Sequence, residues 1–284
     1  MARDLRARLN REELRRLYLD EKKSLEDIAR MYGVSRVAVW KYCRAEQLTR
    51  RSRSEARLEA QRRSKVPQKY YHINENFFSQ WSREMAYVLG LLMTDGCLNR
   101  PKNSSFRIRL CLNDRELLEK VANVIGSNHN ITASRHQEGL YSLLFAREKL
   151  AQDLIKLGLK LRKSLDLEFP ELPNEYLRDF IRGVFDGDGS VYFNKKSPNC
   201  PLVTKFVGGS RPFMYKLEQK LQGLGMPKRK IYEERRKNVS YTIRYSHKNS
   251  LKLGGLMYSH IDSDLYLKRK YIKFKKGAGN GKAD

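Results

Sequence analysis

Apolar positions along this chain change their period from one segment to the next. Between residues 10 and 48 they recur at helical spacing. Leu14 and Leu17 mark one window over 10–19, and Leu25, Ile28, Ala29 and Tyr32 mark a second. Val37, Trp40 and Leu48 fall in or beside a third over 36–47. The second window opens on Ser24-Leu25-Glu26-Asp27, a cap followed by an acidic first turn. Gly33-Val34-Ser35 precedes the third, with Gly33 suited to a left-handed C-cap. These signals predict a compact helical module over residues 1–50. Residues 51–68 carry Arg51, Arg53, Arg57, Arg62, Arg63 and Lys65 among few apolar positions, which predicts a basic linker or solvated helix ended by Pro67.

From residue 69 helical and alternating windows take turns. Aromatics lead in (Tyr70, Tyr71, Phe77, Phe78, Trp81) and are expected to cap a core. An apolar helical run ends at Asp95-Gly96. Residues 105–110 then alternate apolar and polar, as a half-exposed strand does, and 114–125 is an amphipathic helix behind Asn113-Asp114. Residues 129–137 and 141–145 read as a hairpin around Glu138-Gly139, followed by a helix over 148–157. The same order returns with a helix over 177–185, strands over 190–194 and 203–207, a helix over 212–224, a hairpin of 230–235 with 240–245, and a helix over 251–258. The pattern predicts an α+β fold of two αββαββα repeats, 69–175 and 176–276, with 277–284 a disordered tail.

One short pattern heads both repeats. Val88-Leu89-Gly90-Leu91-Leu92-Met93-Thr94-Asp95-Gly96 is echoed by Ile181-Arg182-Gly183-Val184-Phe185-Asp186-Gly187-Asp188-Gly189, which places Asp95 and Asp188 93 residues apart. Gly90 and Gly183 would let two helix backbones approach closely. If these helices cross as parallel neighbours, their Asp-Gly ends meet, and Gly96 and Gly189 release the chain into strands. Two carboxylates at the negative ends of helix dipoles are costly without a cation. Hard oxygen ligands beside phosphate favour Mg²⁺, with Mn²⁺ able to substitute.

Both nonamers resemble the LAGLIDADG motif of homing endonucleases, whose eighth letter falls on Asp95 and Asp188. The second copy is also acidic at the sixth position (Asp186), where the first has Met93. The resemblance takes in Tyr87, Ser190-Val191-Tyr192-Phe193, Arg162-Lys163-Ser164 and Leu267-Lys268-Arg269-Lys270-Tyr271, and covers roughly residues 69–275. It implies a two-motif single-chain enzyme whose sheets form a DNA-binding β-saddle. It also implies one Asp per DNA strand, Mg²⁺-assisted phosphodiester hydrolysis and short 3′ overhangs. By the same resemblance the backbone carbonyls of Thr94 and Gly187 join Asp95 and Asp188 as metal ligands. Lys163 and Lys270 would be catalytic cations, with Arg162 an alternative to Lys163.

A sheet with a polar face in the major groove reads base edges through successive outward residues. By register these are Arg107 and Arg109 in the first repeat. In the second they are Tyr192, Asn194, Lys196, Thr242 and Arg244. A solvated sheet face is the alternative for the set. The module over 1–50 resembles the small bacterial and phage helix-turn-helix, whose last helix enters the major groove. Arg36, Ala38, Lys41 and Arg44 would be its outward face.

Composition narrows the partner. The chain of 284 residues carries 58 Lys and Arg against 32 Asp and Glu, a formal net charge of +26. This excess points to nucleic acid or an anionic membrane. No apolar run approaches the ~20 residues of a bilayer span, and the opening residues carry no apolar signal core. Double-stranded DNA with a long asymmetric site is therefore the expected partner, bound by a monomer. Cys43, Cys97, Cys111 and Cys200 form no C-x-x-C pair, so they are expected to be reduced and mostly buried thiols of a cytoplasmic, nucleoid-associated or organellar protein. Two other readings stay open: a non-catalytic DNA-binding regulator and an RNA-binding intron maturase.

Overall fold

The structure is a computed structural model that describes residues 8–49, 51, 52, 55, 56, 59, 71–161, 166–197, 201–235, 239–259, 261 and 264–279. The chain divides into two compact units, Met1–Tyr70 and Tyr71–Asp284.

In the first unit, α1 (Arg11–Arg15) starts on an Asn10 cap and runs into a π-helical turn, Arg16–Asp20. Helix α2 (Leu25–Met31) opens with a capping box in which Ser24 and Asp27 satisfy each other's backbone N–H groups. Gly33 turns at φ +61. Ser35 then caps α3 (Arg36–Ala45). Leu14, Leu17, Tyr18, Ile28, Ala29, Val39, Tyr42 and Cys43 form a separate core. Three expectations need correction. Val37 is 58% exposed, because the inward stripe of α3 is Val39, Tyr42 and Cys43, and Val37 lies on the far side of that helix. Ala38, expected outside, is half-buried against the core. Arg51 does not begin a free linker. Its guanidinium donates to the Lys22 carbonyl at 2.6 Å and to that of Lys23, and lies 4.3 Å over the Tyr18 ring.

The second unit follows the expected order. The first repeat is α4 (Arg83–Asp95), β1 (Gly96–Asn99), β2 (Arg107–Leu112), α5 (Arg115–Val124), β3 (Ile131–Ala133), β4 (Tyr141–Phe145) and α6 (Glu148–Lys156). The second is α7 (Leu177–Asp188), β5 (Ser190–Phe193), β6 (Leu202–Gly208), α8 (Arg211–Gly223), β7 (Tyr232–Arg235), β8 (Val239–Ser246) and α9 (His247–Tyr258). Each repeat builds one four-stranded antiparallel sheet, ordered β1-β2-β4-β3 and β5-β6-β8-β7. The alternation read in the sequence decides the faces. Ile108, Leu110 and Leu112 point into the core while Arg107 and Arg109 point out. A further helix, α10 (Lys268–Gly279), continues past the boundary expected at residue 276, so Gly277 to Gly279 are helical. Gly277 is buried there, and a Cβ on it would lie 2.9 Å from Leu202 Cδ2.

Helices α4 and α7 form the centre. Met85 to Met93 and Leu177 to Asp186 are buried, apart from exposed Arg178. The helices touch at their glycines. A Cβ on Gly90 would sit 2.8 Å from Val184 N and 3.0 Å from Gly183 Cα. One on Gly183 would sit 3.1 Å from Gly90 Cα and overlap the Tyr87 carbonyl oxygen. At the opposite end Trp81 stacks on Tyr176, with ring centroids 6.2 Å apart and planes at 11°. Of the lead-in aromatics, Phe78 is buried and Phe77 and Trp81 pack on the core, while Tyr70 lies outside the described residues.

The thiols divide by exposure: Cys43 is buried, Cys111 half-buried and Cys97 exposed on the outer face of β1, while Cys200 lies outside the described residues. The expectation of mostly buried thiols therefore fails for Cys97, which strand alternation turns outward opposite Arg109. Burial pushes the Cys43 thiol up to about 11. Iodoacetamide at neutral pH should thus modify Cys97 well before Cys43, as peptide mapping of a time course will show. The glycine crossing makes a second expectation. Gly183→Ala should lose about 1–3 kcal/mol or more of unfolding free energy, read by denaturant titration. Unchanged stability would mean that the helices do not touch there.

Candidate active site at the ends of the paired motif helices

The crossing brings the last turns of α4 and α7 side by side. A Cβ on Gly187 would lie 2.7 Å from Asp95 Oδ2 and would overlap Thr94 Oγ1. Asp95 is half-buried and Asp188 exposed. Thr94, Met93 and Asp188 line one cleft of about 220 Å³ together with Val184, Phe206 and Met214. The two acids expected to act together are therefore delivered to one place, each at the negative end of a helix. Thr94 Oγ1 donates back to the carbonyls of Leu91 (2.9 Å) and Gly90 (3.2 Å), one turn earlier in α4.

Lys270 reaches this place from α10. It is 3% exposed, and its ammonium donates to the carbonyls of Phe185 (2.6 Å), Asp186 (2.8 Å), Gly187 (3.3 Å) and Gly189 (2.5 Å). The Asp186 and Gly187 carbonyls are among those that a helix C-terminus leaves without intrahelical partners, whereas the Phe185 carbonyl also accepts from Gly189 N at 2.9 Å. Burial pulls the ammonium down to about 8, against the attraction of Asp186, Asp95 and Asp188. Both candidate metal-binding acids thus lie within electrostatic reach of one lysine. Lys163 and Arg162 lie outside the described residues.

A buried polar cluster stands behind the site, and its organisation was not read from the sequence. Asp186 is 2% exposed. Its carboxylate accepts from Tyr258 Oη at 2.7 Å, Leu267 N at 2.8 Å and Tyr87 Oη at 2.9 Å. Burial raises its pKa, opposed by the Tyr258 hydrogen bond and the nearby Lys270 charge. Arg182, also 2% exposed, pairs with Asp179 at 2.8 Å and donates to the carbonyls of Met257 and Leu265. The visible signal was charge inside a motif helix: Asp179, Arg182 and Asp186 interrupt an otherwise apolar buried stretch. Among the described residues no group of three or more His, Cys, Asp or Glu side chains could hold a metal. A cation here would be held by two carboxylates with carbonyls, water and substrate oxygens, a donor set that suits Mg²⁺.

The DNA-facing residues expected on the two sheets separate into three groups. Arg107, Arg109 and Arg244 are exposed on outer sheet faces, and Tyr192 is half-buried on the outer face of β5 with Lys205 Nζ 5.7 Å from its ring centroid. Thr242 shares that outer face but is only 7% exposed beside Val207 and Tyr232. Asn194 and Lys196 lie in the turn after β5, where Asn194 Oδ1 accepts from Lys196 N at 3.3 Å and so shapes the loop. In the first unit, Arg36, Lys41 and Arg44 are exposed on α3.

Comparison with known proteins finds a family match in the second repeat. Residues 175–253 match the family described as LAGLIDADG-like domain. A probable translation initiation factor IF-2 from Methanocaldococcus jannaschii is 23% identical over 214 residues, covering 66% of this chain but only 17% of that protein's length. Among solved structures, the homing endonuclease I-DmoI in complex with DNA and Mn is similar at 16% identity and a TM-score of 0.45, covering 66% of this chain and 100% of that one. The meganuclease I-SmaMI bound to uncleaveable DNA is similar at 11% identity and a TM-score of 0.45, covering 68% and 88%. The homing endonuclease I-WcaI bound to its DNA recognition sequence is similar at 14% identity and a TM-score of 0.44, covering 70% and 91%. Residues 175–253, most of the second repeat, thus match the LAGLIDADG-like domain by sequence, and the first repeat has the same order of helices and strands.

The carbonyl bonds of Lys270 make a stability prediction. Lys270→Met should leave buried carbonyls without a donor and lower unfolding free energy by about 1–3 kcal/mol. Exposed Lys268→Met should stay within about 0.5 kcal/mol. Equal, small effects in paired denaturant titrations would show that the buried bonds do not form.

Proposed function

We propose that this chain is a site-specific DNA endonuclease that hydrolyses one phosphodiester in each strand of a duplex, with divalent metal, and leaves short 3′ overhangs. The observation that carries this reading is the glycine-lined crossing that brings one carboxylate from each repeat to one place, in a chain of net charge +26. Asp95 and Asp188 would hold Mg²⁺ or Mn²⁺ with the carbonyls of Thr94 and Gly187. A bound ion would polarise the phosphate and lower the pKa of its water. The protein's part is to hold these oxygens in place and to set basic sheet faces against the duplex. Because the two repeats differ in sequence, a single chain would read a long asymmetric site. The exposed Arg36, Lys41 and Arg44 of α3 would add phosphate and major-groove contacts.

Duplexes selected from a random pool by binding to the full chain provide the substrate. With Mg²⁺ the parent should linearise a plasmid carrying the selected site. Asp95→Asn and Asp188→Asn should each abolish double-strand cleavage while binding affinity changes little. Full linearisation by either variant would remove that carboxylate from the reaction. Binding by the parent without any cutting would make the chain a DNA-binding regulator.

The first unit has its own test. Replacing Arg36, Lys41 and Arg44 together by Ala should reduce the slope of log affinity against log salt by about 0.9 for each phosphate that these side chains neutralise. An unchanged slope would mean that α3 touches no phosphate.

A further inference from the structure

The two motif helices are matched in position but not in chemistry. Counted from the glycine pair, Tyr87 and Phe180 occupy equivalent positions, and so do Met93 and Asp186. One combination is polar: the Tyr87 hydroxyl donates to the Asp186 carboxylate at 2.9 Å in a fully buried setting. The other, Phe180 and Met93, offers neither a hydroxyl nor a carboxylate. Met93 instead lines the 220 Å³ cleft, with its Cε 3.7 Å from where a Cβ on Gly158 would lie.

Around Asp186 the contacts close a ring. Its carboxylate holds Tyr87 of α4, Tyr258 at the end of α9 and the Leu267 N–H just before α10. Helix α10 carries Lys270, which returns to the carbonyls of Phe185, Asp186, Gly187 and Gly189. Asp186 therefore fixes the approach of α10, and α10 fixes the end of α7 that bears Asp188. The buried carboxylate with three donors and the buried amino group shared among four carbonyls are satisfied only while this geometry holds, because either left without partners would be strongly unfavourable.

We propose that Asp186 is a positioning residue chiefly for the Asp188 half of the site, so that the two half-sites differ in what holds them. The Asp188 half is set by a buried polar clamp, and the Asp95 half by apolar packing around Met93. This inference rests on the nuclease reading. Asp186 touches no substrate in it and acts through the backbone of Gly187 and Asp188.

The test uses the full chain bound to its selected duplex, with Mn²⁺ binding followed by the paramagnetic resonance of the free ion. In an Asp95→Asn background the remaining ion reports on Asp188. Adding Asp186→Asn, which keeps volume but removes an acceptor oxygen, should weaken that ion about 10–100-fold. In an Asp188→Asn background the same substitution should weaken the Asp95 ion several-fold less, because the clamp reaches that acid through the Lys270 charge rather than through its own backbone. Tyr258→Phe, which removes one donor and keeps the ring, should weaken the first of these more than the second, by smaller factors. With both acids present and each DNA strand labelled separately, Asp186→Asn should slow the cut on one strand more than on the other. Equal losses at both ions and on both strands, or no loss at either, would overturn the inference while leaving the nuclease reading intact. A parent that neither binds Mn²⁺ nor cuts would overturn both.

Discussion

Gly90 and Gly183 set the distance between two helix backbones, and the rest of the second unit is arranged around that distance. With a hydrogen in place of each side chain, α4 and α7 approach until a Cβ on either would run into the other's backbone. Close packing then propagates along both helices, because a protein interior has no slack to absorb a wider gap. Trp81 stacks on Tyr176 at one end, and Gly187 nestles against Thr94 and Asp95 at the other. Each helix then releases its chain into the first strand of a sheet, so the crossing also fixes where the two sheets begin.

The same closeness creates an electrostatic problem. Two helix ends, each with orphan carbonyls and an acidic side chain, meet at one spot. The fold answers on the second-repeat side with Lys270, a buried cation bonded to carbonyls of the α7 terminus and the residues beside it. Its charge is balanced within the core by Asp186, whose oxygens are satisfied by two tyrosine hydroxyls and a backbone amide. Burial would be prohibitive for either charge alone. Together and fully bonded they form a stiff junction of four helices. That a residue in a basic terminal segment is a buried strut, while Lys268 and Arg269 beside it face solvent, follows from the 100° step of a helix.

Much of this was legible in the sequence, because each local signal is short-range. Strand faces follow from period-2 alternation, as in Arg107 to Leu112, and helix starts follow from caps such as Ser24, Ser35 and Asp114. The repeated Gly-to-Asp spacing required only that two similar helices pack through their small residues. The errors arose where several phases fit the same apolar residues. In α3, Val37 and Trp40 suggested one inward face, but the stripe with the fuller set of large residues, Val39, Tyr42 and Cys43, took the core.

What the sequence by itself determined is the element order, the duplication and the pair of acids, since these depend on patterns within a few tens of residues. Only the tertiary structure decided which polar groups face one another. Tyr87 lies 99 positions from Asp186, and Leu267 lies 81 positions from it on the other side. No local propensity encodes such a meeting. It arises because two helices must touch at their glycines, and whatever stands three residues to either side of the contact must then find a partner or remain buried without one.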